Sequence, residues 1–140
     1  MEIKTSINLA GVNNLLKRAK VKASDEKRAL KVAALGQVRE IKTRTAKGEG
    51  LRGPFKRYSR EYAEFRKERG HAGTVNLFLT GNMLGNLNLT TLNSDKATIG
   101  FSIASERKKA EVNQKLRPFM GITPSEQKLI RKRFERALFK

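Results

Sequence analysis

The sequence predicts one α+β domain over residues 1–140. It would contain a small antiparallel sheet with a central β-hairpin, a long N-terminal helix and a C-terminal amphipathic helix. The first reason is that residues 74–103 hold one base and one acid in a chain of formal net charge +18, so we expect them to be buried. The second is that apolar residues recur at helical spacing on both sides, among many Lys and Arg. A chain of this length can bury one modest core.

The weakly charged segment has the alternating pattern of a half-buried strand. Val75, Leu77 and Leu79 occupy alternate positions, and residues 87–91 alternate between apolar and polar side chains. Turn-forming residues follow at 93–95, before a second apolar stretch. We therefore predict a β-hairpin over about residues 74–103, preceded by a turn or bend at residues 80–82.

The N-terminal half begins with an extended lead-in over residues 1–9, in which Ile3 and Ile7 could be anchors. A short helix is predicted over residues 10–20, so that residues 1–23 form a lead-in segment and a short helix. The long helix should run over about residues 25–45, with Ser24 as N-cap and acids in the first turn. Its apolar face would hold Leu30, Ala33, Ala34, Val38 and Ile41, and Glu40 and Arg44 could pair along its surface.

Residues 46–54 form a Gly-rich segment that we interpret as a flexible loop. Beyond it, Tyr58, Tyr62 and Phe65 are interleaved with bases and follow helical spacing, and Ser59 is a suitable N-cap. Aromatic rings among bases can stack on nucleotide bases. The spacing favours instead a short amphipathic helix whose aromatic stripe faces the core and whose charged face is free for a partner.

The C-terminal region carries the most specific local signal in the chain. Thr123 can cap a helix, Pro124 suits its first position, and Glu126 can close a capping box. The amphipathic helix would run over about residues 124–138. Before it we expect a short, solvated helix near residues 105–115 and an extended apolar segment at 117–122. The helix would bury Leu129, Ile130, Phe134, Ala137 and Leu138.

The composition indicates an acidic or nucleic-acid partner, because a strongly basic surface attracts polyanions. Without Cys, the chain has no disulfide or thiolate metal site, and the single His71 cannot make an ordinary zinc site. No catalytic motif or acidic metal cluster is visible, so we predict no enzyme, no catalytic residue and no cofactor. No signal peptide or membrane-spanning run is recognisable, so we expect a soluble, intracellular protein.

Three stretches, in this order, resemble those of a known family. They are GPFKRYSREYA at residues 53–63, LTGNMLGNL at 79–87 and RPFMGI at 117–122, just before the terminal helix. This combination is similar to the phage virion morphogenesis proteins, the tail-completion and head-to-tail joining group of tailed phages. The resemblance covers about residues 50–138. The sequence departs from the family pattern between Phe101 and Arg117.

The resemblance implies a non-enzymatic structural subunit of a virion, a neck, head-to-tail connector or tail-completion protein. Such a subunit would assemble in the host cytoplasm as a homo-oligomeric ring, with portal and tail proteins as neighbours and genomic DNA in its lumen. An alternative, based on the charge alone, is a stand-alone basic nucleic-acid-binding protein. Contacts with DNA would be independent of sequence, through phosphates. The candidates for facing DNA or a protein neighbour are Arg57, Arg60, Arg66, Lys67, Arg69, Lys128, Arg131, Lys132 and Arg136.

Overall fold

The computed structural model describes residues 3–8, 21–71, 73–77 and 81–139, and this part of the chain has the predicted α+β fold. It contains five helices and two antiparallel sheets, one of three strands and one of two. In chain order the elements are β1 (Thr5–Asn8), α1 (Ala23–Ala46), β2 (Glu49–Gly50), β3 (Gly53–Pro54), α2 (Arg60–Glu68), α3 (Asn82–Asn86), β4 (Leu87–Leu92), β5 (Lys96–Phe101), α4 (Ala104–Leu116) and α5 (Pro124–Leu138).

The larger sheet has the order β1-β5-β4, so the second hairpin strand is central. The predicted lead-in supplies β1, which pairs antiparallel with β5. Ile3 and Ile7 are both buried, as their proposed anchoring role requires. The short helix predicted over residues 10–20 lies outside the described residues.

The hairpin is confirmed but is shorter than predicted. Its strands are β4 and β5, and the backbone at residues 75–77 is not in a strand. The segment before β4 instead forms the single-turn helix α3. The connecting turn is closed by the side chain of Asn93, which accepts hydrogen bonds from the backbone N–H groups of Asp95 and Lys96. An irregularity between Leu89 and Thr91 interrupts the β4–β5 register.

Helix α1 lies at the centre of the domain, because it packs on β4 and β5 and also along α5. All five residues of its predicted apolar face are buried. Helix α1, rather than the aromatic stripe or the apolar face of α5, covers the hairpin. The helix begins one residue before Ser24, which is therefore inside the first turn and makes no capping hydrogen bond.

The segment predicted as a flexible loop over residues 46–54 contains a regular ladder, in which β2 pairs with β3. Leu51, in its turn, donates its backbone N–H to the carbonyl of Pro118 at 3.0 Å. Gly50 makes this approach possible, since a Cβ there would lie 2.5 Å from the same carbonyl oxygen. The ladder thus holds the extended segment that precedes α5.

Both predicted caps of the later helices are confirmed. The hydroxyl of Ser59 accepts the N–H of Tyr62 at the start of α2. At α5, the backbone N–H of Glu126 donates to the hydroxyl of Thr123, while the Glu126 carboxylate accepts the Thr123 N–H. Of the predicted apolar face of α5, Leu129 is exposed and the other residues are buried or half-buried.

Candidate interaction surfaces

The strongest basic surface among the predicted candidates is on α5. Lys128, Arg131, Lys132 and Arg136 are all exposed and lie on the side of the helix opposite its buried residues. One acid, Glu135, shares this region and pairs with Arg131 at 2.9 Å. An exposed pair of this kind is weak, so the face keeps a clear positive charge. We call these four residues the α5 basic face.

The second group of candidates lies on and beside α2. Arg57, Arg60, Lys67 and Arg69 are exposed. The helix also carries three glutamates, which offset its three bases, and Arg60 pairs with Glu64 at 3.4 Å. This group therefore has a weaker positive potential than the α5 basic face.

Arg66 was a candidate for facing DNA or a neighbour, and the structure places it in the interior instead. Its exposed fraction is 2%. The guanidinium donates to the carbonyl of Thr74 at 3.1 Å and to Oδ1 of Asn76 at 2.8 Å. Because it stabilises the loop after α2, it is not available to a partner.

The aromatic stripe of α2 is not part of the core, contrary to our prediction. Tyr62 and Phe65 are 37% and 38% exposed. They stack on each other with ring centroids 5.9 Å apart, and the Arg69 guanidinium lies 4.3 Å from the Phe65 centroid. The rings lie at the surface because Arg66 occupies the inward-facing position of this helix.

Tyr58 is the centre of a contact between distant parts of the chain. The guanidinium groups of Arg66 and Arg117 lie 4.8 and 4.6 Å from its ring centroid, within range of a cation–π interaction. Arg117 also donates to the carbonyls of Lys56 and Arg57, at 2.7 and 2.9 Å. The Tyr58 hydroxyl accepts the backbone N–H of Leu77 at 3.0 Å. These contacts attach α2 to the segment after α4.

A groove of about 480 Å³ opens beside Tyr58, between α2 and α4. We call it the α2–α4 groove. The α4 side is formed by one helical face, residues 109, 112, 113 and 116, and the floor includes Leu77 and Met83. Val112 and Leu116 are 62% and 57% exposed along its edge. The groove therefore has an apolar surface that the described residues leave open to solvent.

A buried ion pair joins the last turn of α1 to the first turn of α5. Nε of Arg44 donates to Oε2 of Glu126 at 2.8 Å, and both side chains are less than a tenth exposed. Arg44 also donates to the carbonyls of Phe119 and Gly121, and Nε2 of Gln37 donates to Oε1 of Glu126 at 2.9 Å. Our prediction that Arg44 pairs with Glu40 is wrong, because Glu40 pairs with Arg133 at 2.8 Å.

The carboxylate of Glu126 is stabilised in its ionised form. Burial alone would raise its pKa, but hydrogen bonds from Arg44, from Gln37 and from the Thr123 backbone, together with the charge of Arg44, outweigh that effect. The pKa of Glu126 is therefore below its ordinary value. The network is structural, since Arg44 and Gln37 donate to the Glu126 carboxylate and to backbone carbonyls, although Oε1 of Gln37 is buried and accepts no hydrogen bond from the described residues.

Sequence reasoning missed Arg44 and Arg117 as structural residues. Each looked like one base among many, and the partners of Arg44 are 75 to 82 residues further along the chain. The only available signal was the capping-box residue Glu126, but the sequence does not show that its carboxylate also binds Arg44.

The single histidine, His71, is half-buried and lies in the loop after α2.

Two further findings concern the described part of the chain alone. It holds no cluster of three or more His, Cys, Asp or Glu that could bind a metal ion. None of its helices is both long enough and apolar enough to cross a membrane.

Comparison with known proteins gave no match to any family model, curated protein or solved structure.

Proposed function

We propose that this chain is a non-enzymatic structural subunit of a phage virion, a neck, head-to-tail connector or tail-completion protein that forms a ring around the DNA channel. The observation that carries the proposal is the convergence of the three stretches that resemble the virion morphogenesis family. Tyr58 of the first, Met83 of the second and Arg117 of the third line the same groove. Residues of all three stretches thus contribute to one surface, which supports a shared role for them.

The charge distribution supports the same role. A ring around DNA needs contacts with phosphates that do not depend on sequence, and the α5 basic face offers four exposed bases. The remaining surface bases could contact acidic neighbours in the portal or the tail. The bases on and beside α2 are the second candidates for such contacts.

The test is the oligomeric mass of the purified chain by native mass spectrometry, alone and with added portal or tail-tube protein. We expect a closed homo-oligomer, either alone or on the partner, that electron microscopy shows as a ring. A chain that stays monomeric in every mixture and does not associate with virions would refute the proposal.

The α5 basic face also favours a second candidate, a stand-alone nucleic-acid-binding protein. The free monomer would then bind duplex DNA, and log K would fall with log salt at a slope of about −0.9 per phosphate neutralised. The double variant Lys128→Glu/Lys132→Glu should weaken binding and flatten that slope by about 2. Lys108→Glu/Lys115→Glu on α4 is the matched control. Absence of binding at low salt would eliminate this candidate.

A further inference from the structure

We infer that the α2–α4 groove is a docking site for an acidic amphipathic segment of another protein. The first reason is its shape and chemistry. An aromatic wall at Tyr58 and Tyr62 faces the apolar edge of α4, where Val112 and Leu116 are one helical turn apart. Grooves of this kind accept the apolar face of a helix, whose side chains repeat at the same spacing.

The second reason is charge. The described residues that line the groove include two cations, Lys109 and Arg117, and no carboxylate. Lys109 pairs with Glu106 at 3.1 Å, but the hydrogen bonds of Arg117 go to the carbonyls of Lys56 and Arg57, which carry no net charge. The groove therefore keeps a positive potential next to its apolar surface. A segment with Leu or Phe on one face and Glu or Asp beside it complements both properties.

The other occupants fit less well. A second copy of this chain, with a net charge of +18, lacks the excess of acidic residues that would complement a positive groove. A nucleic acid would satisfy the charge but would leave the aliphatic edge at Val112 and Leu116 without an apolar partner. The rings that line the groove are also engaged, since Tyr58 has the guanidinium groups of Arg66 and Arg117 over it and Tyr62 is stacked on Phe65. This inference does not depend on the proposed ring assembly.

The test uses fluorescence anisotropy with three labelled peptides of about four helical turns. The first has Leu along one face and Glu elsewhere, the second has Lys in place of Glu, and the third is the first with its order scrambled. The protein variants are Val112→Ser/Leu116→Ser and the matched control Val32→Ser/Leu129→Ser, which removes an exposed Val and Leu outside the groove. All four residues are exposed, so both variants should fold, which circular dichroism checks.

We expect the acidic amphipathic peptide to bind the wild-type chain and the control equally, and the groove variant at least about tenfold more weakly. The basic and scrambled peptides should bind at least about tenfold more weakly to the wild-type chain. The inference is overturned if no peptide binds, if the groove variant binds normally, or if either comparison peptide binds as well. Self-association that the groove variant loses would assign the groove to a second copy. Competition by single-stranded DNA that depends on Val112 and Leu116 would assign it to nucleic acid.

Discussion

Replacing Arg44 by Met should destabilise the domain far more than the loss of one surface base. The change leaves the carboxylate of Glu126 buried without its cation, and it leaves the carbonyls of Phe119 and Gly121 without that donor. Removing one partner of a buried ion pair costs about 3–5 kcal/mol. For a domain of this size, that corresponds to a decrease in Tm of roughly 9–15 °C.

Urea unfolding followed by circular dichroism measures this cost directly. The control is Arg131→Met, which breaks the exposed pair with Glu135 and should cost at most about 1 kcal/mol. Equal effects of the two substitutions would refute the structural role of Arg44. In a double-mutant cycle with Glu126→Gln, the two changes should be non-additive by about 1–3 kcal/mol.

The same pair predicts a dependence of stability on pH. In the folded state, Arg44, Gln37 and the Thr123 backbone bind the ionised carboxylate of Glu126, and this lowers its pKa relative to the unfolded chain. Its stabilisation is complete above the ordinary carboxyl pKa of about 4.3 and is lost as the pH falls through the lowered value. The stability difference between the wild-type chain and Glu126→Gln should therefore shrink on acidification. A difference that stays constant from neutral to strongly acidic pH would contradict this explanation.

Three further substitutions test other contacts. Arg117→Met removes two hydrogen bonds to carbonyls and a cation–π contact, and we expect a loss of about 2–4 kcal/mol in urea unfolding; a loss below about 1 kcal/mol would argue against it. Gly50→Ala should cost about 1–3 kcal/mol, because its Cβ would meet the carbonyl oxygen of Pro118, and an unchanged urea midpoint would contradict that approach. Leu87→Asp places a carboxylate at a fully buried position and should abolish the folded circular dichroism spectrum, whereas a native spectrum would show that the core tolerates it.

The result for Leu87 also bears on how copies would meet in the proposed ring, where we predict that the edge of the weakly charged sheet contacts the next subunit. Such a contact predicts that Asp at residue 87 or 89 disrupts folding or assembly. Leu87 is fully buried and Leu89 packs against the core. Either substitution therefore tests the core first. The edge contact stays a prediction that needs an exposed position of β4, such as Thr90.

Local signals in the sequence predicted the parts of the fold that depend on neighbouring residues. The capping box at Thr123 and the apolar face of α1 are of this kind, because the interacting positions are within a few residues of one another. The predicted partner of Arg44 was wrong because Glu40 is one helical turn away in the sequence and suggests a local pair. In the fold, the buried site beside Glu126 offers Arg44 more hydrogen bonds. The prediction that the aromatic stripe faces the core was wrong because helical spacing shows which residues share a face, but not whether that face packs against the rest of the domain.

The position of α1 between the sheet and α5 has a consequence for folding. One side of this helix needs β4 and β5, and the other needs α5, so its buried surface is complete only after most of the chain is available. During synthesis, Gln37 and Arg44 have no Glu126 carboxylate to bind until that residue leaves the ribosome, 82 residues after Arg44. Until then, the apolar surface of α1 is exposed, which favours association with other chains. Folding should accordingly be governed by the arrival of the last helix, as expected for contacts between distant residues.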